Sequence, residues 1–198
     1  MTYGEIKRRV LEHINRATIN GADVPAAYNG HSDDLRRIRG LINEAVTLIR
    51  TRYAFEVAVF APKEGEALGK LVKYALPEDF YALYGTIYRV EAEGTVPFRG
   101  GKLLGSRHIL LPKGEFLVEY KRYPDLLPED PEDDYEYPQS AEVLDAAAYF
   151  AAAYLALTED EFLYTALLRE YEARLARMAP RPWAECGRVK DAYGGEEA

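Results

Sequence analysis

Three kinds of residue grouping in this chain have the composition of a reactive site: lysines behind glycines, neighbouring carboxylates, and separate serines, histidines and a cysteine. A phosphate-binding loop needs four residues between its two glycines and a Ser or Thr behind the lysine. Backbone amides and the ammonium then surround the phosphates while the hydroxyl reaches magnesium. Gly65-Glu66-Ala67-Leu68-Gly69-Lys70 has the wrong spacing, and both Lys70 and the lysine of Gly100-Gly101-Lys102 are followed by leucine. Both stretches read as β-turns. Glu78-Asp79 and Asp133-Asp134 are carboxylate pairs of the kind used in glycoside hydrolysis or two-metal nuclease chemistry. Their surroundings favour local roles. Glu78-Asp79 stands at a helix start, where negative charge is stabilising in itself, and Asp133-Asp134 lies in a solvated acidic run with nothing to raise a pKa or exclude water. Ser32, Ser106 and Ser140 lack a G-x-S-x-G elbow. His13, His31 and His108 sit in different segments and Cys186 is alone, so neither a zinc ligand set nor a Cys-His nucleophile is spelled out. The expectation is a chain without catalytic residues, cofactor or metal, and therefore not an enzyme. A carboxylate-dependent hydrolase, with Glu78 and Asp79 facing a third acid across a cleft, is the catalytic alternative.

Periodicity outlines the elements that hold these groups. Thr2-x-x-Glu5 is a capping box, and Ile6, Val10 and Ile14 follow at helical spacing, which predicts a helix over 2–17 that Asn20-Gly21 stops. Ser32 or Asp33 can cap a second helix whose stripe is Leu35, Ile38, Leu41, Ile42, Ala45, Val46 and Ile49, running to about Arg52. From Tyr53 the period is two: Phe55, Val57 and Val59 share one face, as do Val72, Tyr74 and Leu76. Pro77 opens a short helical turn through Glu78-Asp79-Phe80. Thr86 to Glu91, Lys102 to Leu104, Ile109 to Leu111 and Phe116 to Tyr123 read as further strands between glycine turns. They predict an antiparallel sheet or small barrel of roughly five or six strands. The segment Tyr123 to Tyr137 has three prolines and seven acids, so it reads as an extended, solvated connector.

The last third of the chain carries the strongest pattern. From Ala141 to Leu157 only Glu142 and Asp145 are charged, and Ser140 caps the start. A helix without a polar face has to be buried on more than one side. One small monomer has little to cover it with, which implies assembly. Thr158-x-x-Glu161 is a second capping box, and Leu163, Leu167, Tyr171, Leu175 and Met178 then form an ordinary amphipathic stripe, with Glu170 and Arg174 paired on the other face. Sixteen of the chain's residues are tyrosine. Tyrosine combines apolar area with a polar handle, as suits surfaces buried against another protein. Tyr149, Tyr154, Tyr164 and Tyr171 on the late helices are the candidate inter-subunit contacts.

The layout predicted is α+β. A four-helix bundle of two N-terminal and two C-terminal helices (1–52 and 139–179), about 25 Å long from 1.5 Å per residue, carries an inserted antiparallel β domain with its acidic, proline-rich connector (53–138). Residues 180–198 form an extended C-terminal arm without an apolar period, in which Trp183 and Tyr193 stand out. With 198 residues, 48% of them hydrophobic and 29% charged, the chain can bury a core without disulfides or metals. The lone cysteine and a start without a signal peptide fit a chain made and kept in a cytoplasm. Its longest uncharged apolar run, Ala146 to Leu157, is 12 residues, short of the ~20 that span a bilayer. A net charge of −8 with dispersed cations argues against nucleic-acid or membrane binding, since phosphate affinity needs clustered Lys and Arg.

MTYGEIKRRVLEHIN at the start, LVKYALPEDFYAL in the middle, the Tyr-Pro-Asp-Leu-Leu-Pro-Glu-Asp-Pro connector and EVLDAAAYFAAAYLALTEDEFLYTALLREYEARLARM near the end resemble head-to-tail adaptor proteins of tailed bacteriophages. The resemblance spans residues 1–178 and is compositional rather than catalytic. It implies a structural virion protein of the neck, assembled in the bacterial host cytoplasm as a homo-dodecameric ring. Such a ring docks on the portal protein, meets a tail or nozzle protein, and continues the channel so that DNA passes without specific binding. It implies that the helix from Ser140 to Leu157 is central, that the β block projects towards a neighbour or the tail, and that the arm contacts portal or tail through Arg181, Trp183, Arg188 and Tyr193. The alternative among ring-forming proteins is a small-terminase-like DNA-packaging subunit. It would need a basic recognition helix, and Arg36-Arg37-x-Arg39 is a small patch beside so many acids.

Overall fold

A computed structural model describes residues 1–14 and 32–178. Among them the elements run α1 (Tyr3–His13), α2 (Ser32–Arg52), β1 (Glu56–Phe60), β2 (Gly65–Leu68), β3 (Leu71–Ala75), β4 (Phe80–Glu91), β5 (Gly94–Phe98), β6 (Lys102–Leu104), β7 (His108–Pro112), β8 (Glu115–Arg122), α3 (Ala141–Ala156) and α4 (Glu161–Met178). The capping box of α1 forms as its residues require: Thr2 Oγ1 accepts from the Glu5 amide at 3.2 Å, and Glu5 Oε2 accepts from the Thr2 amide at 2.8 Å. The second late helix is capped differently from expectation. Asp160, not Thr158, precedes it, and Asp160 Oδ1 accepts from the Leu163 amide at 2.9 Å.

The α+β class holds, but the four-helix bundle carrying an inserted β block does not. Among the described residues, α1, α2 and α4 each pack on α3, α1 and α2 barely meet, and α4 packs substantially on α3 alone. The widths of the apolar surfaces explain this. α3 buries residues all round its circumference, whereas α4 buries only Leu167, Tyr171 and Leu175, a stripe wide enough for one neighbour. α1, with 11 residues against 21 in α2, is also too short to line the whole length of a bundle. The expectation that one copy leaves α3 uncovered is overturned by the same packing. Ala146, Ala147, Ala148, Ala151, Ala152 and Ala153 are all 0% exposed within a single chain. Their small side chains let three helices approach one.

The strands form two antiparallel four-stranded sheets, β1-β8-β4-β5 and β2-β3-β7-β6, in place of one sheet or barrel. Tyr74, Ile109 and Leu111 from one and Phe116 and Val118 from the other share a core, with Phe60, Leu83, Ile87 and Phe98 at its margin. The sheets come close at Gly101, where an added Cβ would lie 2.5 Å from Ile87 Cδ1. β4 changes register between Leu83 and Ile87, and Gly85 there has φ +67°, which favours glycine. The short helical turn expected after Pro77 is a β-turn instead: the Phe80 amide donates to Pro77 O at 3.1 Å and β4 starts at once. Phe55, Val57 and Val59 do share a face, but Val57 and Val59 point outward while Phe60 packs against the core.

The connector from Tyr123 to Tyr137 forms no helix and pairs only through a single antiparallel bridge, Glu136 with Thr2, and it is not simply solvated. Leu127 and Tyr137 are buried in the helical core. Asn43 on α2 holds it by both ends of its amide: Oδ1 accepts from the Leu127 amide at 2.8 Å, and Nδ2 donates to Leu127 O at 3.1 Å. The start of α1 completes the attachment. The Tyr3 amide donates to Tyr135 O at 2.9 Å, the Gly4 amide donates to Asp133 O at 2.8 Å, and Lys7 pairs with Asp133.

Candidate interaction surfaces

The arm residues Arg181, Trp183, Arg188 and Tyr193, together with His31 and Cys186, lie outside the described residues. The four tyrosines of the late helices are described, and they converge on the seam between α3 and α4 within one copy. Tyr154 lies 4.5 Å from Phe150 and 6.1 Å from Tyr164, centroid to centroid, and Tyr171 lies 5.2 Å from Phe150. Tyr171 is buried, and burial pushes its hydroxyl up to about 12. Only 6% of it is exposed. Tyr149, Tyr154 and Tyr164 are half-buried.

Tyr149 belongs to a polar knot that ties three helices together. Its ring stacks on His13 of α1 at 3.9 Å, and the guanidinium carbon of Arg174 of α4 lies 3.8 Å from its centroid. Arg174 Nε donates to Asp145 Oδ2 at 2.7 Å and Nη1 donates to Glu170 Oε2 at 2.8 Å, while Arg9 Nη1 donates to Asp145 Oδ1 at 2.8 Å. Asp145, one of two charges on α3, is thereby spent on α1 and α4. Burial lowers the His13 pKa, opposed by the Asp145 carboxylate and reinforced by Arg174. Among the described residues, His13 Nε2 is buried without a hydrogen-bond partner. Burial also disfavours the Arg174 charge, but its bonds to Asp145 and Glu170 outweigh this and raise its pKa.

The carboxylate pairs do not form an acid–base site. Asp79 Oδ1 accepts from the Tyr120 hydroxyl at 2.9 Å, and its other oxygen lies 3.2 Å from Arg122 Nε. Burial, and then the bond to Asp79, push the Tyr120 hydroxyl up to about 12. Asp133 is taken by Lys7. Glu78 lines a cleft of about 890 Å³ with Tyr81, Leu103, Ser106, Arg107, His108 and Tyr123, and among the described residues it is that cleft's one carboxylate. The cleft can therefore meet an anion through Arg107 and Ser106, but it lacks the opposing acid that glycoside hydrolysis needs. Among the described residues no cluster of three or more His, Cys, Asp or Glu is placed to hold a metal. No helix of the described residues is long and apolar enough to cross a membrane.

The conspicuous surface features are apolar, and sequence periodicity pointed elsewhere. Phe162 is 85% exposed at the start of α4, and Leu157, just past the end of α3, is also exposed. Leu68, Leu71 and Leu104 lie exposed on the outward side of the β2-β3-β7-β6 sheet, and Val57 and Val59 on that of the other. The signal for Phe162 was present: it precedes Leu163 and falls off the Leu167-Tyr171-Leu175 stripe. No protein-family model and no curated protein matches the chain.

Proposed function

We propose that this chain is a non-enzymatic structural protein of the tailed-phage neck, a head-to-tail adaptor subunit that forms a homo-dodecameric ring on the portal and leads to a tail or nozzle protein. It acts in the virion, after assembly in the bacterial host cytoplasm. The observation that carries this reading is the apolar surface a single copy leaves open at the α3–α4 corner, Leu157 and the 85% exposed Phe162. A phenylalanine with most of its side chain in water gives a partner protein apolar area to bury. The resemblance of residues 1–178 to the adaptor family supplies the kind of partner. Two further features support it. One carboxylate of each pair that suggested chemistry, Asp79 and Asp133, is engaged in a local contact, and a net charge of −8 repels a polyanion passing through a ring.

Electron microscopy of the purified full chain mixed with phage portal rings tests the reading. Added density in a ring on one end of the portal is the expected result. Portal rings that remain bare at saturating protein would overturn it.

A further inference from the structure

Among the described residues, four strands have a free long side: β1 and β5 in one sheet, β2 and β6 in the other. A free edge presents unpaired amides and carbonyls to any other strand, and chains usually blunt it with short strands, proline, charge or a bulge. β6 has 3 residues and β2 has 4. β5 carries Pro97, which removes a donor. β1, Glu56-Val57-Ala58-Val59-Phe60, has no proline and no bulge, and its one charge, Glu56, stands at its first position and is paired with Arg50. It pairs in unbroken register with β8 from Glu56↔Arg122 to Phe60↔Val118. Among the described residues, no backbone bond engages its other side. Val57 and Val59 stand 44% and 57% exposed on the outward face.

We propose that β1 is a self-pairing edge and that its occupant is β1 of a second copy, antiparallel and two-fold related about Ala58. This register sets Val57 beside the partner copy's Val59 and the reverse, joining both exposed valines into one apolar row on the outward face. It also suits the charges. The strand's one ionic residue, Glu56, is already bonded to Arg50 of its own chain at 3.0 Å and falls opposite Phe60 of the other copy, not opposite its own equivalent. Two chains of net charge −8 can therefore approach here without setting carboxylate against carboxylate. Pairing β1 with another copy's β5 would meet Pro97, and β2 or β6 would leave part of the five-residue edge open. A two-fold contact closes on itself and needs no ring, so this inference goes beyond the proposed function and does not rest on it.

Sedimentation equilibrium of the full chain over a concentration series tests it, alongside Val59→Lys and Val57→Lys. The wild type is expected to show a monomer–dimer equilibrium. Either lysine is expected to weaken the dimer at least tenfold with far-ultraviolet dichroism and melting temperature unchanged, since both positions face solvent in the monomer. A wild type that stays monomeric, or a dimer that both lysines leave intact, overturns the proposal. Should a lysine variant unfold, hydrogen exchange decides: the outward amides of β1 must slow on going from dilute to concentrated wild-type protein, and equal rates overturn the proposal.

Discussion

Asn43 is one residue that ties two parts of the chain 84 positions apart, and its apolar stripe concealed it. It stands between Ile42 and Glu44 on α2, off the run of Ile38, Ile42, Ala45 and Val46 that periodicity picked out, and nothing in its spacing names Leu127 as partner. Replacing it with alanine removes the donor and acceptor that satisfy the Leu127 backbone and the hydroxyl contact from Tyr137. Asn43→Ala is therefore expected to cost about 2–4 kcal/mol in urea unfolding, because buried backbone groups left unpaired carry their full desolvation penalty. A cost below that of an ordinary surface substitution would show that water replaces the amide. His13 was legible only as a lone histidine. Its ordinary pKa is about 6.5, and burial lowers it in the folded chain, so the unfolded state holds the proton more tightly. Stability is then fully present above about pH 6.5 and falls as the pH drops below it, until the native histidine itself protonates. The facing groups are Tyr149, Asp145, Arg174, Arg9 and Glu12. His13→Phe keeps a ring against Tyr149 and is expected to flatten the fall in stability between about pH 7 and pH 5 by up to ~1.4 kcal/mol per pH unit. Unfolding curves of wild type and variant that run parallel across that range would remove His13 from the account.

At the scale of elements, the helices were readable where a stripe or cap is local, and their arrangement was not. The α1 capping box, the α2 stripe and the Ala-rich α3 all came from spacing within a few residues. The bundle failed because closure depends on how many apolar stripes meet. α4 has one, spent on α3, and α3 has enough surface for three neighbours. The inference that α3 needs sister copies failed for a related reason: periodicity shows that a helix must be covered on all sides but not that α1, α2 and α4 of the same chain do it. The sheets were misread where sequence separation is large, since Glu56–Phe60 pairs with Val118–Arg122 and no local feature announces that pairing. A substitution separates the two accounts of α3. If Ala151 lies under its own chain, at 0% exposure, Ala151→Leu overfills a packed site and is expected to cost about 1–3 kcal/mol in the isolated monomer. If that face instead met a neighbour, the monomer would tolerate the leucine and only association would suffer. Chemical denaturation at a concentration low enough to exclude dimers distinguishes them.

For the whole molecule, the burial of α3 moves the case for assembly from the middle of the protein to its margins. An isologous β1 contact stops at two copies, so a ring would have to be built through some other surface, and its neighbour contact must be heterologous. The α3–α4 corner is suited to that role: among the described residues α4 packs substantially on one helix only, and it presents Phe162 to water at its first turn. Such a side chain contributes nothing to the stability of the monomer, so Phe162→Ser is expected to change unfolding free energy by no more than about 0.5 kcal/mol. Its effect belongs to assembly. On portal rings, Phe162→Ser is expected to reduce bound protein several-fold relative to wild type, while Val59→Lys, which acts on the two-fold edge, leaves the bound amount unchanged and removes the free dimer. The two variants thus exchange their effects between sedimentation of the chain alone and co-sedimentation with portal. Equal binding of Phe162→Ser and wild type to portal would take away the observation on which the adaptor reading stands, whatever the β1 edge does.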